Sequence, residues 1–222
     1  TADDVVSQRE KRLVAGEILS MMQEMLQNSH PAQHDAILLM VADIHQQIGV
    51  LDLAQSYLAS DSETSADAET EPYKRVSASI EGNGSGDTIA LEFIDAALQH
   101  FQLALDVTRS VAEKSGRHLL ISPLTLTANA LASSGQFAQA FEYYEQAVNI
   151  NSNLFGAEHQ SNIPLLVDYA ISLVHYGGEC GRAAGILSKI ELLLHVHDIA
   201  HGDIQYQRTA DYIAKNNFKC GY

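Results

Sequence analysis

Basic residues are scarce in this chain. Thirteen Lys and Arg stand against 28 Asp and Glu, a net charge of −15, and no Lys or Arg occurs between Leu13 and Tyr73 or between His118 and Gly181. Nucleic acid and anionic lipid bind through basic patches and released counterions, so this balance opposes both. A neutral or basic protein segment suits it better. Cysteine is nearly missing too: Cys180 and Cys220 are the only two, in neither a CxxC nor a Cys/His zinc spacing. That argues against a disulfide scaffold or a structural zinc and makes a reducing, intracellular compartment the default. No run of about 18 apolar residues exists, so no transmembrane segment is expected. The GxGxxG, Walker and GxSxG motifs are absent, and Gly82-Asn83-Gly84-Ser85-Gly86 lacks the preceding strand and the Lys that phosphate binding requires. The chain starts at Thr1 and not at Met, which is compatible with removal of an organellar presequence and so with a mitochondrial setting.

What the sequence does have is helical periodicity. Residues 3–27 place Val6, Leu13, Val14, Ile18, Met21, Met22, Met25 and Leu26 at three- and four-residue spacings, the stripe of an amphipathic helix. Its methionines read as core filler, with an adaptable binding face as the alternative. A second helix is predicted over 33–47, stopped by Gly49, and a short third over 51–59. Residues 60–87 are acidic and rich in Ser, Thr and Gly, with few large apolar side chains. Such a stretch buries too little to fold alone and reads as a surface insertion. In an interaction arm, Tyr73, Val76 and Ile80 would be its anchors. Further helices are expected over 88–114, 122–133, 137–151, 160–175 and 180–196, and a capping helix over 203–217.

These helices repeat. Ala42 and Gly49 stand 86 residues before Ala128 and Gly135, twice a period of 43, and Ala170 and Gly177 follow 42 residues later. Ala97, Phe101 and Ala104 reappear 43 residues on as Ala140, Tyr144 and Ala147. Small residues at a crossing let two helices approach closely, and large ones fill the space beside it. A pair built this way leaves a second apolar face for the next pair to cover, so such units stack. The expected architecture is all-α, an α-solenoid of about three to four antiparallel helix pairs, one of them degenerate. Residues 1–59 would hold the N-terminal helix and first pair, 60–87 the insertion, and 88–222 the remaining repeats and cap.

Residues 122–151, with two helices joined at Ser134-Gly135-Gln136, resemble a tetratricopeptide repeat. The link Leu154-Phe155-Gly156-Ala157-Glu158-His159, followed by Asn162, resembles the loop between the long repeats of kinesin light chain. The resemblance implies a superhelix whose first helices line a concave surface. It puts Thr125, Asn129, Ala132 and Ser133 there, then Val167, Ile171, Val174 and His175, with Leu39, Asp43, Gln46 and Gln47 from the first pair. Chaperone-binding members grip a carboxylate with cations at such positions. Of that clamp only Asn129 is matched.

The remaining chemistry is thin. His195, His197 and His201 with Asp198 and Asp203 form the densest histidine cluster, but Gly202 points to a helix end and no general base occupies an HExxH position, so a metal site is not expected. Cys180 has Arg182 nearby but no identified His base. The sequence therefore reads as a noncatalytic protein–protein interaction scaffold without cofactor: an accessory subunit or assembly factor of a larger complex, or alternatively a peptide-binding adaptor. Its expected partner-binding residues are Thr125, Asn129, Ser133, Val167, Ile171, Val174, His175 and Tyr73.

Overall fold

A computed structural model describes residues 2–61, 85–174 and 179–197. Within them lie α1 (Ala2–Asn28), α2 (Pro31–Asp61), α3 (Ser85–Ser115), a 3-10 turn (Arg117–Leu120), α4 (Ile121–Ser133), α5 (Phe137–Phe155), α6 (Asn162–Ser172) and α7 (Cys180–Val196). No strand occurs among the described residues. Pro31 opens α2 at a position whose backbone N–H has no helical partner anyway. Between α4 and α5, Gly135 takes φ 79°. The amide of Gln136 bonds back to Leu131 O at 2.9 Å and that of Gly135 to Ala132 O at 3.1 Å. These bonds satisfy carbonyls that the end of α4 would otherwise leave open.

Neighbouring helices pack as antiparallel pairs, α2 with α3, α4 with α5 and α6 with α7, and α1 lies on α2. The protein is an all-α solenoid of the expected kind. Its repeat positions are its crossings: Ala97, Phe101 and Ala104 in α3, Ala140, Tyr144 and Ala147 in α5, and Ala183, Leu187 and Ile190 in α7 are all buried. Ala42, Ala128 and Ala170 occupy the matching buried places in the first helices of the pairs. One apolar cluster joins α4, α5, α6 and α7 through Leu131, Phe141, Tyr144, Tyr169, Leu173 and Ala183. Another joins α2, α3 and α4 through Leu53, Ile94, Phe101 and Ala130.

Several expectations need correction. The predicted break at Gly49 does not occur, because α2 runs unbroken from Pro31 to Asp61. A glycine weakens a helix by only about 1 kcal/mol and does not end one that tertiary contacts support. The helix predicted over 51–59 is therefore the second half of α2, and α2 itself supplies α3 with its partner. The helix expected from residue 88 begins at Ser85, inside the predicted insertion. Contrary to the expectation of no membrane-length segment, Pro31–Ser56 is long and apolar enough to cross a bilayer. Its apolar side is used within the fold, where Ile37, Val41, Ala42, Ile48 and Leu53 are buried alongside the polar His45 and Asp52. Cys180 is disulfide-bonded, which two cysteines far apart in the chain did not announce. The capping helix at 203–217 and residues 62–84 of the predicted 60–87 insertion lie outside the described residues, while the insertion's two ends are helical.

Candidate protein-binding site

The expected concave stripe can be followed residue by residue. Thr125 is half-buried, and its hydroxyl bonds to Ile121 O at 2.9 Å within α4. Asn129 accepts a hydrogen bond from the Tyr144 hydroxyl of α5 and hydrogen-bonds the carboxylate of Asp168 in α6. It therefore ties three helices together. Burial raises the Asp168 carboxyl to about 6, and the Asn129 hydrogen bond partly offsets this. Val167 and Val174 are half-buried against two different apolar clusters, and Ile171 is half-buried between them in sequence. Ser133 departs from expectation: it is 1% exposed and offers a partner nothing, because the last turn of α4 rotates it into the interior. His175 and Tyr73 lie outside the described residues. The structure thus brings Asn129 to α6 but engages it in internal bonds.

Elsewhere on the same pairs, α5 and the start of α7 line an open groove of about 510 Å³. Phe137, Ala138 and Phe141 form its apolar wall, and Glu142, Glu145 and Glu179 surround Arg182. The spacing of Phe137, Phe141 and Glu145 is four residues, so one face of α5 presents all three. A single cation sits among three carboxylates. Arg182 Nη2 is 2.6 Å from Glu145 Oε1, and it also donates to the Tyr169 hydroxyl. Its guanidinium lies 5.6 Å from the Phe141 ring centroid and 5.8 Å from that of Tyr169. Both are cation–π distances.

Tyr169 completes the set by donating to Glu145 Oε1 at 3.0 Å and stacking on Tyr144 at 5.3 Å between centroids. Burial first, then the hydrogen bond to Glu145, pushes its phenol up to about 12. It stays a donor across the physiological range. The arrangement shows how this surface holds a guanidinium: aromatic faces below and a carboxylate at the edge. Sequence reasoning missed it because Glu145, Tyr169 and Arg182 come from three helices. One signal was available, since Arg182 is the cation that ends the long stretch after His118 without Lys or Arg.

Elsewhere, the histidine cluster has a structural use. His197 Nε2 lies 2.6 Å from Glu158 O and fastens the end of α7 to the α5–α6 loop, while His201 lies outside the described residues. No three potential metal ligands gather among the described residues. A second cleft, lined by Arg12, Leu13, Gly16, Gln55 and Phe93, opens between α1, α2 and α3. Beneath it Arg12 Nε lies 2.8 Å from Oδ1 of the fully buried Asp52, although neither carboxylate oxygen accepts a well-aligned hydrogen bond. Burial raises Asp52 to about 6 against the opposing pull of Arg12.

Stacked antiparallel pairs with buried alanines at their crossings define an α-helical repeat protein. Residues 128–161 match the family model described as tetratricopeptide repeat, and such a repeat suggests a protein–protein interaction role. Neither the curated proteins nor the solved structures contain a match to the chain.

Proposed function

We propose that the protein is a noncatalytic scaffold that holds another protein as an accessory or assembly subunit of a larger complex, gripping a cationic segment in the groove between α5 and α7. The observation that carries this reading is the internal stand-in. Arg182, 45% exposed at its side chain, already lies over Phe141 and beside Glu145, while Glu142 and Glu179 line the same groove. A partner's Lys or Arg would find the exposed carboxylates of Glu142 and Glu179 there, and the net charge of −15 would speed its approach.

The test is binding of a labelled Arg-rich peptide to the full chain, measured by fluorescence anisotropy. Glu142→Lys with Glu179→Lys should weaken binding at least about tenfold. The same charge change placed on α3, Glu92→Lys with Asp95→Lys, should act only through net charge and weaken it far less. Equal losses from the two double variants would sink the groove. The adaptor alternative rests on the half-buried stripe of Thr125, Asn129, Val167 and Ile171. It predicts that Asn129→Ala or Ile171→Asp impairs binding of a neutral peptide while the groove variants do not.

A further inference from the structure

The outer side of α1 is a feature that the groove does not explain. Val14, Ile18, Met21 and Met25 are 54%, 40%, 63% and 50% exposed. Their spacing of four, three and four residues is the alternation of a two-helix seam. The helix is already held to the body by another stripe. Arg12, Ala15, Leu19, Met22 and Leu26 are half-buried at alternating three- and four-residue steps, and it is α2 that α1 packs on. The helix is therefore bifacial, with one stripe spent inside and one standing in water. Reading all its methionines as core filler fails for Met21 and Met25. Aligned exposed apolar side chains of this kind mark interaction surfaces in soluble proteins, and methionine adapts its shape to what covers it.

The charges beside the seam choose the occupant. Glu10, Glu17 and Glu24 are exposed, seven residues apart, and lie along one edge of the stripe. The other edge carries the neutral Ala15 and Met22, with the exposed Lys11 one turn before Ala15. In a second copy of this chain, parallel pairing would set the glutamates against those neutral positions. Antiparallel pairing would set them against one another. Neither gives the attractive flanking pairs that fix a coiled-coil partner.

We propose that α1 docks, along Val14, Ile18, Met21 and Met25, an amphipathic helix of another protein that carries Lys or Arg where it faces Glu10, Glu17 and Glu24. This builds on the reading of the protein as a scaffold but uses a face remote from the α5–α7 groove. The partner helix needs a seam of at least three apolar residues and a basic edge on one side only.

Two labelled helical peptides of about three heptads test this against the full chain by fluorescence anisotropy, both with Leu along the seam, one with Lys and one with Glu beside it. The Lys peptide should bind at least about tenfold more tightly than the Glu peptide, and Ile18→Asp with Met21→Asp should cost at least about tenfold. Both positions are exposed, so the helical circular dichroism should not change. Glu17→Lys with Glu24→Lys should invert the preference between the peptides, and that variant decides the matter alone if the Asp variant fails to fold. Equal binding of both peptides, binding of neither, no inversion, or a dimer of the chain that Ile18→Asp dissociates would each overturn the proposal. Glu142→Lys with Glu179→Lys should leave the Lys peptide bound. Loss of the Arg-rich peptide alone therefore counts against the groove, and loss of the Lys peptide alone counts against α1.

Discussion

A Cβ atom placed on Gly49 would stand 2.6 Å from Cε1 of Phe101, so α2 and α3 fit together here because one of the two residues has no side chain. The Phe101 ring is fully buried and cannot swing aside. Gly49→Ala would gain roughly 1 kcal/mol in helix propensity and lose about 1–3 kcal/mol to overpacking, so the loss should prevail. Urea unfolding should show a lower midpoint. Adding Phe101→Leu should cost less in this background than in the native one, with a coupling of at least about 0.5 kcal/mol. Strict additivity would show that the ring does not set the fit.

Asn162 should be the most sensitive polar residue of the α5–α6 loop. It is fully buried, its Nδ2 donates to Gly156 O at 2.9 Å, and its Oδ1 accepts from Asn151 Nδ2 at 2.9 Å and Ser152 Oγ at 3.1 Å. Asn162→Ala removes these bonds, although Asn151 Nδ2 keeps Ser161 Oγ and Gly156 O keeps the His159 amide, so the loss should be about 1–2 kcal/mol. Asn162→Asp keeps the shape but sets a carboxylate oxygen against the Gly156 carbonyl, so it should be no milder. A loss below about 0.5 kcal/mol for Ala would mean that water replaces the side chain.

Asp168 gives the protein a pH response opposite to that of an ordinary surface carboxylate. Its folded value, about 6, lies above the ordinary carboxylate value of 3.8, so the folded state holds its proton longer than the unfolded one. Its contribution to stability is therefore full below about pH 4 and is lost as pH rises through about 6. Asp168→Asn should raise stability at pH 8 by up to about 3 kcal/mol and leave it nearly unchanged at pH 4. An equal effect at both pH values would show that the carboxylate's ionisation is not what the fold resists.

The histidine pair acts in the other direction. His45 and His100 face each other with Nδ1 atoms 2.9 Å apart, a contact only one proton can bridge. Burial lowers both values, and for His100 the neighbouring His45 and Arg12 add to the effect. Arg12 of α1, Asp52 of α2 and the two imidazoles are the charged and titratable groups gathered there. Folded values below 6.5 mean that the stability this pair provides is present above that pH and is lost on acidification through the lowered values. His100→Gln keeps a hydrogen-bonding partner for His45 and should flatten the fall in unfolding midpoint below about pH 6.5. An unchanged slope would assign that fall to other groups.

Much of the fold was legible because its defining feature is local. Small residues at 97, 104, 140, 147 and 183, with Phe101, Tyr144 and Leu187 between or beside them, state a crossing in the sequence itself, and the structure buries all of them. Gly49 and Gly135 show where that reading stops. Both sit at one point of the same period, yet Gly135 turns the chain at φ 79° whereas Gly49 stays helical and makes room for Phe101. Periodicity records the residue but not which property of glycine is in use. The two stripes of α1 were inseparable for a similar reason, since spacing cannot say which one the rest of the chain covers. The groove was hidden because Glu145 and Arg182 are 37 residues apart and meet only after two loops have closed.

The unequal connections between paired helices also bear on how the chain reaches this state. α4 and α5 meet across the short turn at Ser134, Gly135 and Gln136, whereas Gly49 of α2 meets Phe101 of α3 from far away in the sequence. Loop-closure entropy grows with the length closed, and contacts near in sequence form first. The α4–α5 hairpin is then the natural nucleus, and the docking of Phe101 beside Gly49 is a late event. Substitutions in α4 and α5 should slow refolding, while Gly49→Ala should chiefly hasten unfolding.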